Sequence, residues 1–131
     1  MSYATQVASY REMEILSASP ERLVVLLFDH LVVSLHRVRI AIDNNDITLR
    51  TVSLGKARGI VSELLATLDF DKGGRIASDL SSLYSWLLGE MADIGTQRNA
   101  RNVERLVQVA ETLRAGFTGA ATLSVPLKRP A

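Results

Sequence analysis

The side chains of this sequence best suited to proton or metal chemistry are its two histidines, His30 and His36. Neither stands in a Glu-x-x-His pair, so the inward-facing carboxylate and imidazole set of di-iron helical bundles is missing. There is no cysteine, which removes thiol nucleophiles, disulfides and thiolate metal sites and favours a reducing compartment. No Gly-x-Ser-x-Gly elbow occurs, and Gly73-Gly74 is too short to cradle a phosphate. Asp69 and Asp71 are paired acids, but they fall at a junction between helices, where capping is the simpler use. His36 on an exposed helical face could accept a phosphoryl group, yet Arg37-Val38-Arg39-Ile40 after it lacks the lysine and glycine pattern of histidine phosphotransfer bundles. The sequence therefore supports no catalysis, and neither a cofactor nor a metal is expected.

The elements that carry these residues are helices. Four stretches repeat apolar residues at the helical period, and none alternates as a strand would. Ser19 caps and Pro20 opens the first helix, with Glu21 complementing its dipole; Asn44-Asn45-Asp46 ends it. Asp46 or Thr48 caps the second, which runs to about residue 68 with Ala57, Ile60, Val61, Leu64 and Leu68 on one face. Asp69-Phe70-Asp71-Lys72-Gly73-Gly74 reads as a turn, because paired glycines admit positive φ. The third helix spans about residues 75–94 with Ile76, Leu80, Leu83, Tyr84, Leu87, Met91 and Ile94 in a 3/4 rhythm. After a loop at 95–98, Asn99 caps the fourth, whose Val103, Leu106, Ala110, Leu113 and Phe117 form a seam and which Gly119 ends. Long helices on short loops favour antiparallel neighbours, so the expectation is an all-α, antiparallel up-down-up-down four-helix bundle with an N-terminal strap or short helix.

The chain has 131 residues, enough for one core, and reads as a single domain: a bundle over about 20–119, a strap over 1–18 and a tail over 121–131. The tail, with two prolines, two basic residues and no recognisable period, is expected to be disordered. The first residues lack the basic and apolar regions of a signal peptide. The longest apolar run, residues 23–28, is far short of the roughly 20 residues that span a membrane. Net charge is +1, with basic residues scattered among acids, so no stripe suits a phosphate backbone and nucleic acid is not an expected partner.

What stands out is aliphatic surface beyond the needs of one core, under a positive mean hydropathy. The first helix has a main face centred on Leu31, with Val24, Leu27, Phe28, Leu35, Val38 and Ile42 around it. Leu26, Val33 and Ile40 recur every seven residues on another side, flanked by Val25 and Val32, with Arg22, Asp29 and His36 among them. Either this helix sits deep between two neighbours, or the second stripe lines a groove for an apolar partner segment. On the second helix Gly55, Gly59, Ser62 and Ala66 align opposite the core face, a strip that packs against a native helix or lets a foreign backbone approach. On the third, Trp86 points off the seam near Asp79, Glu90 and Asp93, as a binding anchor or a bundle edge would. Leu26, Val33, Ile40, Gly55, Gly59, Ala66 and Trp86 are thus the candidate groove. Tyr3, Val7, Tyr10 and Ile15, with Met13 and Leu16, are too apolar for an idle terminus and form the candidate strap.

Taken in order, several stretches resemble the flagellin-specific export chaperones usually called FliS. These are Tyr10; Ile15-Leu16-Ser17-Ala18-Ser19-Pro20-Glu21-Arg22-Leu23; Leu27-Phe28-Asp29; Lys56-Ala57 with Ile60-Val61 and Glu63-Leu64; and Leu68-Asp69 with Lys72-Gly73-Gly74. They continue through Ile76-Ala77, Leu80 and Ser82-Leu83-Tyr84 to Leu113-Arg114 and Phe117, covering about residues 10–117. Four positions depart from the pattern: Phe28 where tyrosine is general, His30 where glycine is common, Trp86 where a smaller aromatic is usual, and Phe117 where tryptophan is frequent. Hydrophobic character survives at three of them, so partner preference, not fold, is where a difference is expected.

The resemblance implies a cytoplasmic chaperone that binds the C-terminal amphipathic segment of flagellin, prevents premature polymerisation and delivers the client to the flagellar type III secretion apparatus. It implies no nucleotide hydrolysis, no membrane insertion, and an N-terminal segment that covers part of the binding surface when the client is absent. The residues by themselves leave two alternatives open, a histidine phosphotransfer bundle and a generic helical dimerisation module, since an aliphatic stripe also serves a homodimer.

Overall fold

The computed structural model of the chain describes residues 20–97 and 100–120. Within them lie helices α1 (Pro20–Asp43), α2 (Ile47–Ala66), α3 (Phe70–Gln97) and α4 (Ala100–Ala120), and no strand. Three-residue connections at 44–46 and 67–69 force antiparallel neighbours. Each helix packs on the next and α4 closes back on α1, with the closest packing between α1 and α2 and between α1 and α4. The result is the expected all-α four-helix bundle.

Local chemistry explains the first boundary. Asn45 takes a left-handed φ of 55°, a conformation its short polar side chain tolerates. Asp46 then caps α2, its carboxylate accepting the Leu49 N–H at 2.9 Å. The second boundary differs from the sequence reading. Asp69 accepts the N–H groups of Asp71 and Lys72 at 3.1 and 3.0 Å, so a first helical turn already forms at Phe70. Gly74 then kinks the helix with φ 52° and ψ −124°, and α3 continues through Gln97 instead of ending near residue 94. The expected loop at 95–98 is thus helical as far as residue 97. Ser19 and Asn99, the expected caps of α1 and α4, lie outside the described residues, as do the strap and the tail.

The core gathers one face of each helix. Phe28, Leu31, Leu35 and Val38 of α1 meet Ala57, Val61 and Leu64 of α2, Tyr84, Leu87, Met91 and Ile94 of α3, and Val103, Leu106 and Ala110 of α4. Phe28 stacks on Phe117 at 5.3 Å between ring centroids and tilts against Tyr84 at 6.4 Å, tying three helices together. Burial pushes the Tyr84 hydroxyl well above its ordinary ionisation range. On α3 the seam runs through Ala77, Tyr84 and Met91, and Ile76, expected in the seam, is 57% exposed. One residue of helix is about 100°, enough to turn a side chain from core to solvent.

Across the α1–α4 edge three half-exposed ion pairs repeat: Asp29 with Arg114 at 3.6 Å, His36 with Glu111 at 3.5 Å and Arg39 with Glu104 at 2.6 Å. Exposed pairs add little stability each, but their succession suits the antiparallel register of these helices. They also place His36 in an interhelical contact.

Candidate client-binding groove

The opposite edge of α1 is open. Between α1 and α2 runs a depression of about 610 Å³ lined by Leu26, Leu27, Asp29, His30, Val33, Ser34 and Arg37 on one wall and by Lys56, Gly59, Ile60 and Glu63 on the other. Its α1 wall, from residue 26 to residue 37, rises about 17 Å, or three helical turns. The floor is aliphatic and the rim is charged, the composition that receives one face of an amphipathic helix.

The first helix does both things its sequence allows. It packs between α2 and α4, and Leu26, Val25 and Val32 are buried along it, Leu26 only 8% exposed although it lines the groove. Those three were expected on or beside the free stripe; Val32 joins the core cluster, and Val25 and Leu26 are buried outside it. Val33 and Ile40 stay 47% and 51% exposed. Val33 lines the groove, and Ile40 lies two turns further along the same stripe, beyond the lining residues.

On α2, Gly55, Gly59, Ser62 and Ala66 are all exposed. A Cβ placed on Gly55 or Gly59 would meet nothing within 4 Å, so neither glycine serves close packing within the described residues. A mid-helix glycine costs roughly 1 kcal/mol against alanine. Of these four only Gly59 lines the groove, while Gly55 and Ala66 flank it. Lys56, Ile60 and Glu63 also form this wall, although Ile60 was expected on the core face and Lys56 and Glu63 were named only for the family resemblance. Their spacing with Gly59, at i, i+3, i+4 and i+7, is one helical face and was the available signal.

Trp86 is not brought to this groove. It is half-buried against the core, with the Arg105 guanidinium of α4 at 5.4 Å from its ring, on the α3–α4 edge across the bundle. The reason is packing: α3 contacts α2 and α4, so a side chain just off its seam reaches α4. Trp86→Ala is therefore expected to lower stability by about 2 kcal/mol through lost burial and cation–π contact. It should leave affinity at the α1–α2 groove within about twofold; thermal unfolding beside a binding titration reads both.

No cluster of three or more acidic or histidine residues able to hold a metal exists among the described residues, and no described helix is long and apolar enough to cross a membrane. A helical bundle with an open interhelical groove, in which Leu26, Leu27, Val33 and Ile60 lie among charged side chains, has the architecture that protein-binding modules use. The sequence profile of the family described as Flagellar protein FliS matches residues 3–124, and the chain belongs to that family of flagellar secretion chaperones, which are not enzymes. The flagellar secretion chaperone FliS of Salmonella typhimurium is 33% identical over 96 residues, 72% of this chain and 71% of that protein. Its counterpart in Campylobacter jejuni is 30% identical over 95 residues, 72% of this chain and 74% of the other. In three dimensions a crystal structure of a flagellar chaperone from bacteria superposes with a TM-score of 0.74 over 92% of this chain and 99% of that one. At 20% identity that likeness speaks to the fold.

Proposed function

We propose that this chain is a cytoplasmic export chaperone that binds the C-terminal amphipathic segment of flagellin, keeps it from polymerising prematurely and hands it to the flagellar type III secretion apparatus. The observation that carries the reading is the open α1–α2 groove with Val33 on its wall, in a chain of the FliS family. An amphipathic segment cut off from its partners in a filament cannot bury its apolar face, so it stays unfolded until a complementary surface is supplied. Ordering it on binding takes a few kcal/mol of the gross interaction, which a long aliphatic contact offsets. Residues 3–16, with Tyr3, Val7, Tyr10 and Ile15, act in this reading as an internal competitor that shields the groove until the client arrives.

The test is co-purification of the full chain with flagellin's C-terminal segment. Retention of that segment, lost in Val33→Asp while circular dichroism stays helical, is the expected result. A carboxylate forced against an apolar client face should weaken binding by roughly tenfold to a hundredfold. Deleting residues 1–16 should raise both hydrophobic-dye binding and client affinity. Failure of the wild-type chain to retain the segment overturns the reading, and an affinity untouched by the deletion removes the competitor from it.

A further inference from the structure

We infer that the groove is electrically polarised along its length and takes a helix of its partner in one direction, parallel to α1; this rests on the groove being the partner site, as proposed above. The charges on its two walls agree. On α1 the acid Asp29 precedes the cation Arg37 by about 12 Å of helix rise, and on α2 the cation Lys56 precedes the acid Glu63 by about 10 Å. Because α1 and α2 are antiparallel, these opposite sequence orders become one spatial order. Arg37 and Lys56 both lie toward the α1–α2 connection, and Asp29 and Glu63 both lie toward the far end. Asp29 shares its charge with Arg114, whereas Arg37, Lys56 and Glu63 enter no ion pair among the described residues. Their charge is available to whatever fills the space between them.

A helix carries about half a positive charge at its N-terminus and half a negative charge at its C-terminus, each concentrated on unpaired backbone groups. Laid parallel to α1, it brings its free N–H groups to Asp29 and Glu63 and its free carbonyls to Arg37 and Lys56. The walls then cap both ends of a helix of about eight to eleven residues. Reversed, the same helix meets like charge at both ends. The groove is therefore built for a helical occupant, since an extended segment has no end charges to match, and it selects the direction as well as the apolar face.

The direction bears on competition from within the chain. α1 begins at the acidic end of the groove, so a helix formed by the residues before Pro20 and laid straight back along it would run antiparallel to α1, the disfavoured way.

The absence of native cysteine makes a clean experiment. Ile40→Cys places a single thiol beyond the cationic end and Ala66→Cys one beyond the acidic end, both at exposed positions. The probe is an uncharged, end-blocked amphipathic helical peptide of about twelve residues, carrying a bromoacetyl group on its first or its last residue. The last-residue form should label Ile40→Cys at least about fivefold faster than Ala66→Cys, and the first-residue form should show the opposite bias. Exchanging the charges (Arg37→Glu, Lys56→Glu, Glu63→Lys) should abolish or invert that bias. Equal labelling, labelling no faster than with a scrambled peptide, the opposite bias, or a bias that survives the exchange overturns the inference. Undirected labelling with flagellin's segment still retained overturns the polarity alone. Directed labelling without that retention overturns the choice of client alone.

Discussion

Gly59→Trp is expected to weaken capture of the client by about 100-fold, or about 2.7 kcal/mol, in a protein that is no less folded than the wild type. Gly59 lies on the groove wall with open space where a Cβ would stand, so a bulky side chain there starts out into the groove and takes the room an incoming helix needs. In the same position Gly59→Ala should raise stability by about 1 kcal/mol, by removing backbone freedom from the unfolded chain and improving helix propensity. A single methyl should leave binding within a few-fold. The two variants thus separate folding from binding at one residue. Urea unfolding and a titration with flagellin's C-terminal segment measure the two quantities, and a Gly59→Trp protein that still binds normally would move the client site off this groove.

The second large effect is on stability. Phe28→Ala should cost about 3–5 kcal/mol, a large share of the roughly 5–15 kcal/mol that holds a domain of this size. Phe28 is fully buried, and its ring bridges Tyr84 of α3 and Phe117 of α4 from the centre of α1. Its removal opens a cavity where three helices converge and leaves the Phe117 ring half unsupported. The expected readout is a lowered denaturant midpoint, with loss of the helical signal at temperatures where the wild type stays folded. Phe28→Tyr, which carries the tyrosine found in the FliS pattern, should be tolerated far better, because it keeps the ring volume. Were Phe28→Ala to unfold within about 1 kcal/mol of the wild type, the convergence of α1, α3 and α4 on this ring would be wrong.

Much of the architecture was legible from residue types alone. Pro20 at the start of α1, Asp46 as a cap, and the 3/4 rhythm of Val103, Leu106 and Ala110 are local signals, because propensity and capping act within a turn or two of helix. Where a local signal had two readings, the sequence misled. Asp69 through Gly74 looks like a turn and contains one, yet Asp69 also caps a helical turn, and a single positive φ at Gly74 kinks α3 without ending it. Ile76 matched the period as well as Ala77 did, and only the helix's rotation against its neighbours decided between them.

By itself the sequence determined four helices, their order, most of the residues on each core face, and the family they resemble. Only the tertiary structure decided that Leu26 closes while Val33 stays open, that Gly59 faces an empty groove, that Trp86 belongs to the α3–α4 edge, and that the charges of two helices line up end to end. Helical period is a property of one segment and names the residues on a face. What covers that face depends on which helix lies beside it and in which direction it runs, and that is set by packing between residues far apart in the chain.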